Sequence, residues 1–416
     1  MISIITPVHK ASSIYIEDTY NSFKSTDIDW EWILVLNNGG TIPAKFAKNK
    51  RIKILQYDNN SIGSLKKFGF DQGSGDILVE LDADDLLTPG ALEKIQEVFE
   101  DPKIQFVYSN NADFVNGTWE SRSFSEYWGW RKRDYIYQGH NLYEMLAWEP
   151  SAHMMRYIFW APDHVRAWRS DAYKQLGGHN PDMPVGDDHD LCCRTYIAYG
   201  QNGMKHIDKC LYLYRLHEDN SFKLYNADIQ KATEQNYIKY SRDMIVRWSD
   251  DNGLLKVDLG GRFNPWSGFT TVDLYNADLI FDLNSTWGLK DNSVGVLRAS
   301  HIFEHLRDPI HSMNEAYRIL APGGWLLIEV PSTDGRGAFQ DPTHVSFWNE
   351  NSFWYYTQES HARFIRPLYT GRFQKSRIVT YYPTEFEQSN NIPIVQADLI
   401  ALKPPYSNRP VGEVLI

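Results

Sequence analysis

The chain has 416 residues, 42% hydrophobic and 23% charged, which is ordinary composition for a globular protein. That length exceeds the size at which one hydrophobic core keeps growing, so two domains of ordinary size are the first expectation. A formal net charge of −11 counts against a general coat for nucleic acid, whose surface would be basic.

In chain order, residues 2–8, 32–36, 52–57 and 77–81 are short β-rich runs separated by helix-compatible sequence. The alternation predicts an α/β unit with a largely parallel sheet. "TPGALEKIQEVFE" predicts a helix with Thr88 as N-cap, Pro89 in its first position and Glu93 in its first turns. Residues 226–248 form the longest helix-like stretch, without Pro or Gly, and "SDDNG" breaks it. A domain boundary at about residue 250 follows, dividing the chain into 1–250 and 251–416. A second alternation then starts: "LLKVDLGG", "FTTVDL", "VGVLRAS", a helix over 308–320, "GGWLLIEVP", and two β-rich runs, "RFQKSRIVTYYP" and "IPIVQADLIALKP". The three cysteines, Cys192, Cys193 and Cys210, lack metal-site spacing and suit a reducing compartment. "MISIITPVHK" has no long apolar leader core, and no apolar run approaches the roughly 20 residues that span a bilayer. A cytoplasmic protein without a transmembrane segment is the expectation.

The stretch "ILVELDADDLL" (77–87) sets Asp82, Asp84 and Asp85 at the end of an apolar strand. Carboxylates that close repel one another. Open α/β sheets bind ligands at the carboxyl ends of their strands, and hard oxygen donors suit Mg²⁺ or Mn²⁺ facing a diphosphate. For an isolated Asp-x-Asp the plain alternative is a solvated turn. Here the motif is flanked, in order, by "IITPVHK", "WILVLNNGG", "GSLKKFGFDQGSGDILVELDADD", "AWRSDAYKQLGGHNPDMPVGDDHDLCCR" and "YRLHEDNSF". Over residues 1 to about 245 this series resembles the family 2 glycosyltransferases of the GT-A fold.

The resemblance implies an inverting, metal-dependent transfer of a sugar from a nucleoside diphosphate donor, a UDP-sugar by default, to an acceptor hydroxyl. It implies Asp84 as the first ligand for Mn²⁺ or Mg²⁺, with Asp82 facing the donor's ribose or the metal. Asp85 is then a second ligand, and His217 completes the metal or phosphate site. Pro7 and Val8 belong to the nucleotide-binding loop. Asn37 and Asn38 stand where aspartates commonly receive the base; an amide oxygen still accepts uracil's N–H, without the charge. Lys66 and Lys67 add positive charge near the diphosphate, against the alternative of solvated helix lysines. In "GDDHD", Asp188 matches the catalytic base that takes the hydroxyl proton, and Asp187 stands where a Glu is usual. Adjacent like charges raise one pKa, which helps a base work near neutral pH. Asp190 orients or packs.

In the second half, "VDLGGRFNPWSGFTTVDL" reads as strand, glycine turn and a strand ending in Asp273. With "DNSVGVLRASHIFEHLRDP", "EAYRILAPGGWLLIEVPS" and "DPTHVSFW", it resembles the Rossmann-like class I S-adenosylmethionine-dependent methyltransferases across about 250–416. The resemblance carries Gly260 and Gly261 to the methionine-moiety loop, Asp273 to the ribose and Asp282 to the adenine edge. His301 and Glu304 line the region after the fourth strand, and His344 is a candidate base or acceptor contact. The usual Gly-x-Gly-x-Gly is shortened to Gly260-Gly261 followed by "RFNP".

The leading reading is therefore a fused glycosyltransferase and methyltransferase acting on a shared sugar or acceptor: a saccharide, a lipid-linked saccharide, a small molecule or a modified base. A second reading is transfer onto a hydroxymethylated base in DNA. It rests on "SEYWGWRKRDYIYQG" (125–139), where Trp130 and Arg131 lie among interleaved rings and cations; the same segment also suits an acceptor loop that stacks sugars. A third is a non-catalytic sugar-nucleotide-binding scaffold with an inert methyltransferase half.

Overall fold

The computed structural model describes residues 1–122, 125 and 128–403. The chain divides into two compact units, the first closing at Met244 and the second opening at Ile245. Among the described residues no helix is long and apolar enough to cross a membrane.

The first unit is built on strands β1 (Ile2–Val8), β2 (Trp30–Leu36), β3 (Ile52–Gln56), β4 (Ile77–Glu80), β5 (Leu86–Leu87), β6 (Phe106–Val115), β7 (Lys132–Tyr137), β8 (His140–Met145), β9 (Arg166–Arg169) and β10 (Met204–Leu216). Their order is β3-β2-β1-β4-β9-β6-β10-β5, and β8 joins β7 to β6. β1 runs parallel to β2 and β4, and β2 to β3, so this half is the doubly wound part. Its strands read as near-continuous apolar runs because helices cover both faces. Ile4, Trp32, Leu34, Val79 and Leu81 pack into one core with Ile16 and Ile95. Beyond β4 the sheet turns mixed, with β9 antiparallel to both β4 and β6.

Strands β6, β9 and β10 and the β7–β8 hairpin escape the sequence reading. β6 buries Asn110, Asn111 and Asp113, polar residues that interrupt the apolar pattern. Each is satisfied from afar: Asn110 donates to Glu144 (2.7 Å), Asn111 to Asp163 (2.6 Å), and Arg122 donates to Asp113 (2.5 Å). The expected Thr88 cap is also corrected. The helix is Ala91–Val98, and its N-cap is Gly90 in the left-handed region at φ 80°. The Thr88 hydroxyl instead donates to the Cys210 carbonyl (2.9 Å), tying the turn to β10.

The second unit contains β11 (Leu255–Leu259), β12 (Thr270–Asp273), β13 (Leu279–Ile280), β14 (Val294–Ser300), β15 (Leu320–Pro331), β16 (Phe373–Tyr381) and β17 (Ile394–Ala401). Their order is β13-β12-β11-β14-β15-β17-β16. The first five are mutually parallel, and β17 and β16 close the sheet antiparallel. The helix Pro309–Ile319 starts from an Asp308 cap that accepts from the Ile310 and His311 amides. Both units are α/β, as the two alternations predicted.

Candidate active site

β4 ends at Glu80, every side chain buried, and the next five residues turn out of the sheet at its carboxyl edge. This turn sends the three aspartates to different places. Asp85 points inward and is 1% exposed. One oxygen accepts from the Tyr212 hydroxyl (2.7 Å) and the other from the Arg215 amide (2.7 Å), so it anchors β10. Expected as a second metal ligand, Asp85 thus has both oxygens engaged inside the protein. Burial, reinforced by Asp84 and Asp82, pushes its carboxyl well above the usual range.

Asp84 faces His217, with Oδ2 2.8 Å from Nε2. The ring is fixed by stacking on Tyr15 (centroids 5.3 Å) and by the Asp219 amide, which donates to Nδ1 (3.2 Å). Nδ1 therefore accepts, and Nε2 carries the proton donated to Asp84. A divalent ion bound there would replace that proton, as metal binding at imidazole and carboxylate does. Asp82 lies 3.7 Å from His164 Nε2. Ligand atoms of Glu80, Asp82 and His164 lie within 4.8 Å of one another. The donor set of Asp82, Asp84 and His217 fits Mn²⁺ or Mg²⁺ in chemistry. Glu80 is less available, because it is committed elsewhere.

Behind the cluster lies a buried ion network that sequence reading missed. Glu80, 0% exposed, accepts from Lys66 and from Arg166 through Nε (2.9 Å) and Nη2 (3.0 Å). Arg166 also donates to Asp188 Oδ2 (2.8 Å). Burial alone would raise the Glu80 carboxyl, but Arg166 and Lys66 outweigh it and hold it well below the usual range. Lys66, expected at the diphosphate, is 6% exposed and spends its charge on Glu80. His164, also within reach of Glu80 and Asp163, is pushed up to about 10: burial and Arg166 lower it, and the carboxylates outweigh them. The signal was present in the sequence. A Glu inside "ILVEL" and an Arg inside "HVRAW" are charges on buried strands, which require partners.

The helix Asp187–Gly203 presents Asp187, Asp188 and Asp190 in its first turn, where the macrodipole favours negative charge. Asp190 packs, bonding Arg194 (2.8 Å) and the Tyr240 hydroxyl (2.8 Å). Asp188 is the accessible member, its side chain 22% exposed; Asp187 is 2% exposed and faces His179 at 3.9 Å. Their environments split the pair. Burial, with Asp188 and Glu80 nearby, pushes Asp187 up to about 7. For Asp188, burial is outweighed by Arg166, Lys66 and the His189 amide, which hold it below the usual carboxylate range.

Pro7 and Val8 close β1, and the Val8 carbonyl accepts from the Asn37 backbone N–H (2.9 Å). Asn37 Oδ1 accepts the Asn59 amide (3.0 Å), whereas the Asn38 amide donates to Asp58 (2.7 Å). Asp58 thus restores a carboxylate beside the two asparagines. Trp130 packs near Phe159 (centroids 5.7 Å), and Arg131 stacks on Trp148 (4.7 Å) while donating to the Ala147 carbonyl (2.7 Å). Arg133 is committed to Glu144 (2.6 Å) and Asp208 (3.1 Å), and Lys132 lies over Tyr143 (4.2 Å). Charges spent internally contribute little to holding a phosphate backbone.

In the second unit, Gly260 follows β11 at φ 68°, and a Cβ there would meet Ile302 at 3.0 Å. The positive φ and the packing of Ile302 both favour glycine at this turn. Asp273 ends β12, its Oδ1 accepting the Leu274 amide (2.7 Å). Asp282 is exposed and accepts from Asn284 (2.9 Å). Exposed Phe263, Leu274 and Tyr275 follow the ends of β11 and β12, and exposed Ile280 closes β13. Arg262 lies over the Phe263 and Tyr275 rings, and its buried Nε has no hydrogen-bond partner. An orphaned guanidinium N–H beside the glycine turn fits the carboxylate of S-adenosylmethionine. His344 donates from Nδ1 to the Ala338 carbonyl (2.9 Å).

The glycosyl transferase family 2 model matches residues 3–160, and a methyltransferase domain model matches residues 214–373. The chain is 23% identical over 255 residues to a chondroitin synthase of Escherichia coli, covering 59% of this chain and 33% of that protein. It is 26% identical over 225 residues to the O-antigen biosynthesis protein RfbC of Myxococcus xanthus, covering 51% and 16%. It spans a third or less of the length of these curated relatives. Among solved structures, S. aureus TarS 1-349 in complex with UDP-GlcNAc aligns with TM-score 0.41 and 15% identity, over 60% of this chain and 74% of that one. The chain thus joins a segment that matches the family 2 glycosyltransferases to a segment that matches a methyltransferase domain.

Proposed function

We propose that the first unit transfers a sugar, with inversion, from a nucleoside diphosphate donor to an acceptor hydroxyl, and that the second binds S-adenosylmethionine and methylates the transferred sugar or the acceptor. The observation that carries the reading is the division of labour among the carboxylates: Asp84 pairs with His217 and Asp82 lies beside His164 at the end of β4, while Asp188 is accessible and ionised across the Glu80–Arg166 network. When bound, Mn²⁺ or Mg²⁺ supplies charge stabilisation for the departing diphosphate.

The chain's own residues do the rest. Asn38 and Asp58 bind the base, with uracil the default; Pro7 and Val8 shape its pocket. Asp188 takes the hydroxyl proton, and Arg166 orients the carboxylate for it. That pairing lowers basicity and fixes geometry. Asp187, buried and raised, keeps a proton near neutral pH and so removes a second negative charge from beside the base. The relatives' names favour a saccharide acceptor, and Trp130 with Arg131 offers a ring and a donor for it. In the second unit, Gly260, Gly261 and Arg262 hold the methionine end of the cofactor, Asp273 the ribose and Asp282 the adenine edge. His344 lines the acceptor side.

A nucleotide-sugar panel tests the first half: release of nucleoside diphosphate with and without a chelator. Metal-dependent turnover of at least one donor is expected. No turnover of any donor, with or without saccharide acceptors, would leave a binding scaffold.

A further inference from the structure

We infer that Glu304, His305 and His344 form a binding site for a divalent transition-metal ion in the second unit, separate from the Asp84 cluster. One potential ligand atom from each of the three lies within 4.8 Å of the others. The residues come from two segments, the turn Phe303–His305 after β14 and the loop around His344. Those segments are stitched together by backbone bonds. The Glu304 carbonyl accepts from the Val345 (2.8 Å) and Ser346 (3.0 Å) amides, and the Ser346 hydroxyl donates to the Phe303 carbonyl (2.8 Å).

The protonation pattern suits a cation. His344 Nδ1 faces the Ala338 carbonyl (2.9 Å), and His305 Nδ1 faces the Thr343 carbonyl (3.2 Å). A carbonyl only accepts, so each Nδ1 carries the proton and each Nε2 carries a lone pair, the arrangement that orients metal-bound imidazoles. The rings meet edge to face, centroids 5.0 Å apart. Glu304 is 2% exposed, and its Oε2 is buried without a hydrogen-bond partner. A buried carboxylate oxygen left unpaired is costly, and a bound cation removes the cost. Asp341 Oδ2, 3.9 Å from His344 Nε2, stands within reach as a further carboxylate.

Two imidazoles and a carboxylate select a borderline ion such as Zn²⁺ or Co²⁺ over Ca²⁺. Three protein donors leave a coordination position for water or an acceptor oxygen. The site rests on this geometry alone and stands whether or not the second unit transfers methyl groups.

Co²⁺ is the probe, because its visible d–d absorption reports imidazole ligation. The full-length chain carrying Asp82→Asn, Asp84→Asn and His217→Ala, which remove ligands from the candidate cluster of the first unit, is stripped with chelator and titrated. One equivalent of Co²⁺ is expected by absorption and equilibrium dialysis, displaced by Zn²⁺. Adding His305→Ala, at a half-buried position, should weaken binding at least about tenfold with circular dichroism unchanged. Glu304→Gln, which keeps shape and removes charge, should do the same. Absence of bound Co²⁺ at millimolar concentration in the parent overturns the assignment, as does equal affinity in parent and His305→Ala.

Discussion

Asp187 and Asp188 are neighbours in sequence with opposite surroundings, and single substitutions should separate their roles. Asp188→Asn should lower turnover by about a hundredfold or more, the usual scale of a positioned base, while donor affinity stays near wild type. Collapse of donor binding in calorimetry would move Asp188 to the nucleotide site. Asp84→Asn keeps the hydrogen bond to His217 but removes the charge. It should abolish transfer and metal-dependent nucleotide binding while the thermal midpoint stays close to wild type; activity that survives both the substitution and a chelator would contradict the assignment. Asp187 also predicts a pH effect. Its carboxyl sits at about 7 in the fold against the usual 3.8, so the unfolded chain loses this proton first as pH rises. Ionisation therefore costs stability progressively between about pH 4 and 7 and by a constant amount above. Asp187→Asn should raise the thermal midpoint at pH 8, with the gain shrinking to nothing near pH 4. A gain independent of pH would show that the carboxyl ionises normally.

At the scale of elements, the helix Ile62–Phe70 is brought against the loop before Asp187 through Gly63. A Cβ at that position would meet the Asn180 carbonyl oxygen at 2.1 Å and Asp187 Cβ at 3.0 Å. Gly63→Ala should cost about 1–3 kcal/mol by forcing the two segments apart, read as a lower denaturant midpoint. The same displacement should reduce kcat more than donor affinity, because it moves Asp188 and leaves the Asn38 side of the sheet untouched. The buried network is a second link between elements, joining that helix, β4, β9 and the helix Asp187–Gly203. Such joints were not legible as contacts. The apolar runs of β1, β2 and β4 announce themselves because parallel strands are covered on both faces. β6 and β9 carry polar and charged residues whose partners lie far along the chain.

For the whole molecule, each unit has its own sheet and its own core. Ligand binding in one is therefore expected without ligand in the other. In the proposed reading Asp273 accepts from the ribose hydroxyls; Asp273→Ala removes that acceptor, and a lost charge-assisted hydrogen bond costs about 1.5–3 kcal/mol. Affinity for S-adenosylhomocysteine should fall by roughly ten- to a hundredfold. Glycosyl transfer should be unaffected. If calorimetry of the wild-type chain shows no heat at millimolar ligand, the shortened glycine turn has lost the cofactor.

Periodicity, glycine turns and the acid cluster at a strand end were enough to place two α/β units and to put Asp82, Asp84 and Asp85 at the carboxyl edge of β4. Those are local properties: a strand's pattern and its terminus are written in consecutive residues. Which aspartate faces the cleft and which anchors a strand was decided only by tertiary structure. Asp85 is claimed by Tyr212 and Arg215, and Asp84 by His217, 133 positions away. Lys66 illustrates the same limit. Its charge looked free for a phosphate, but burial next to Glu80 and Arg166 commits it to the protein, because a desolvated ion must find its partner inside the fold.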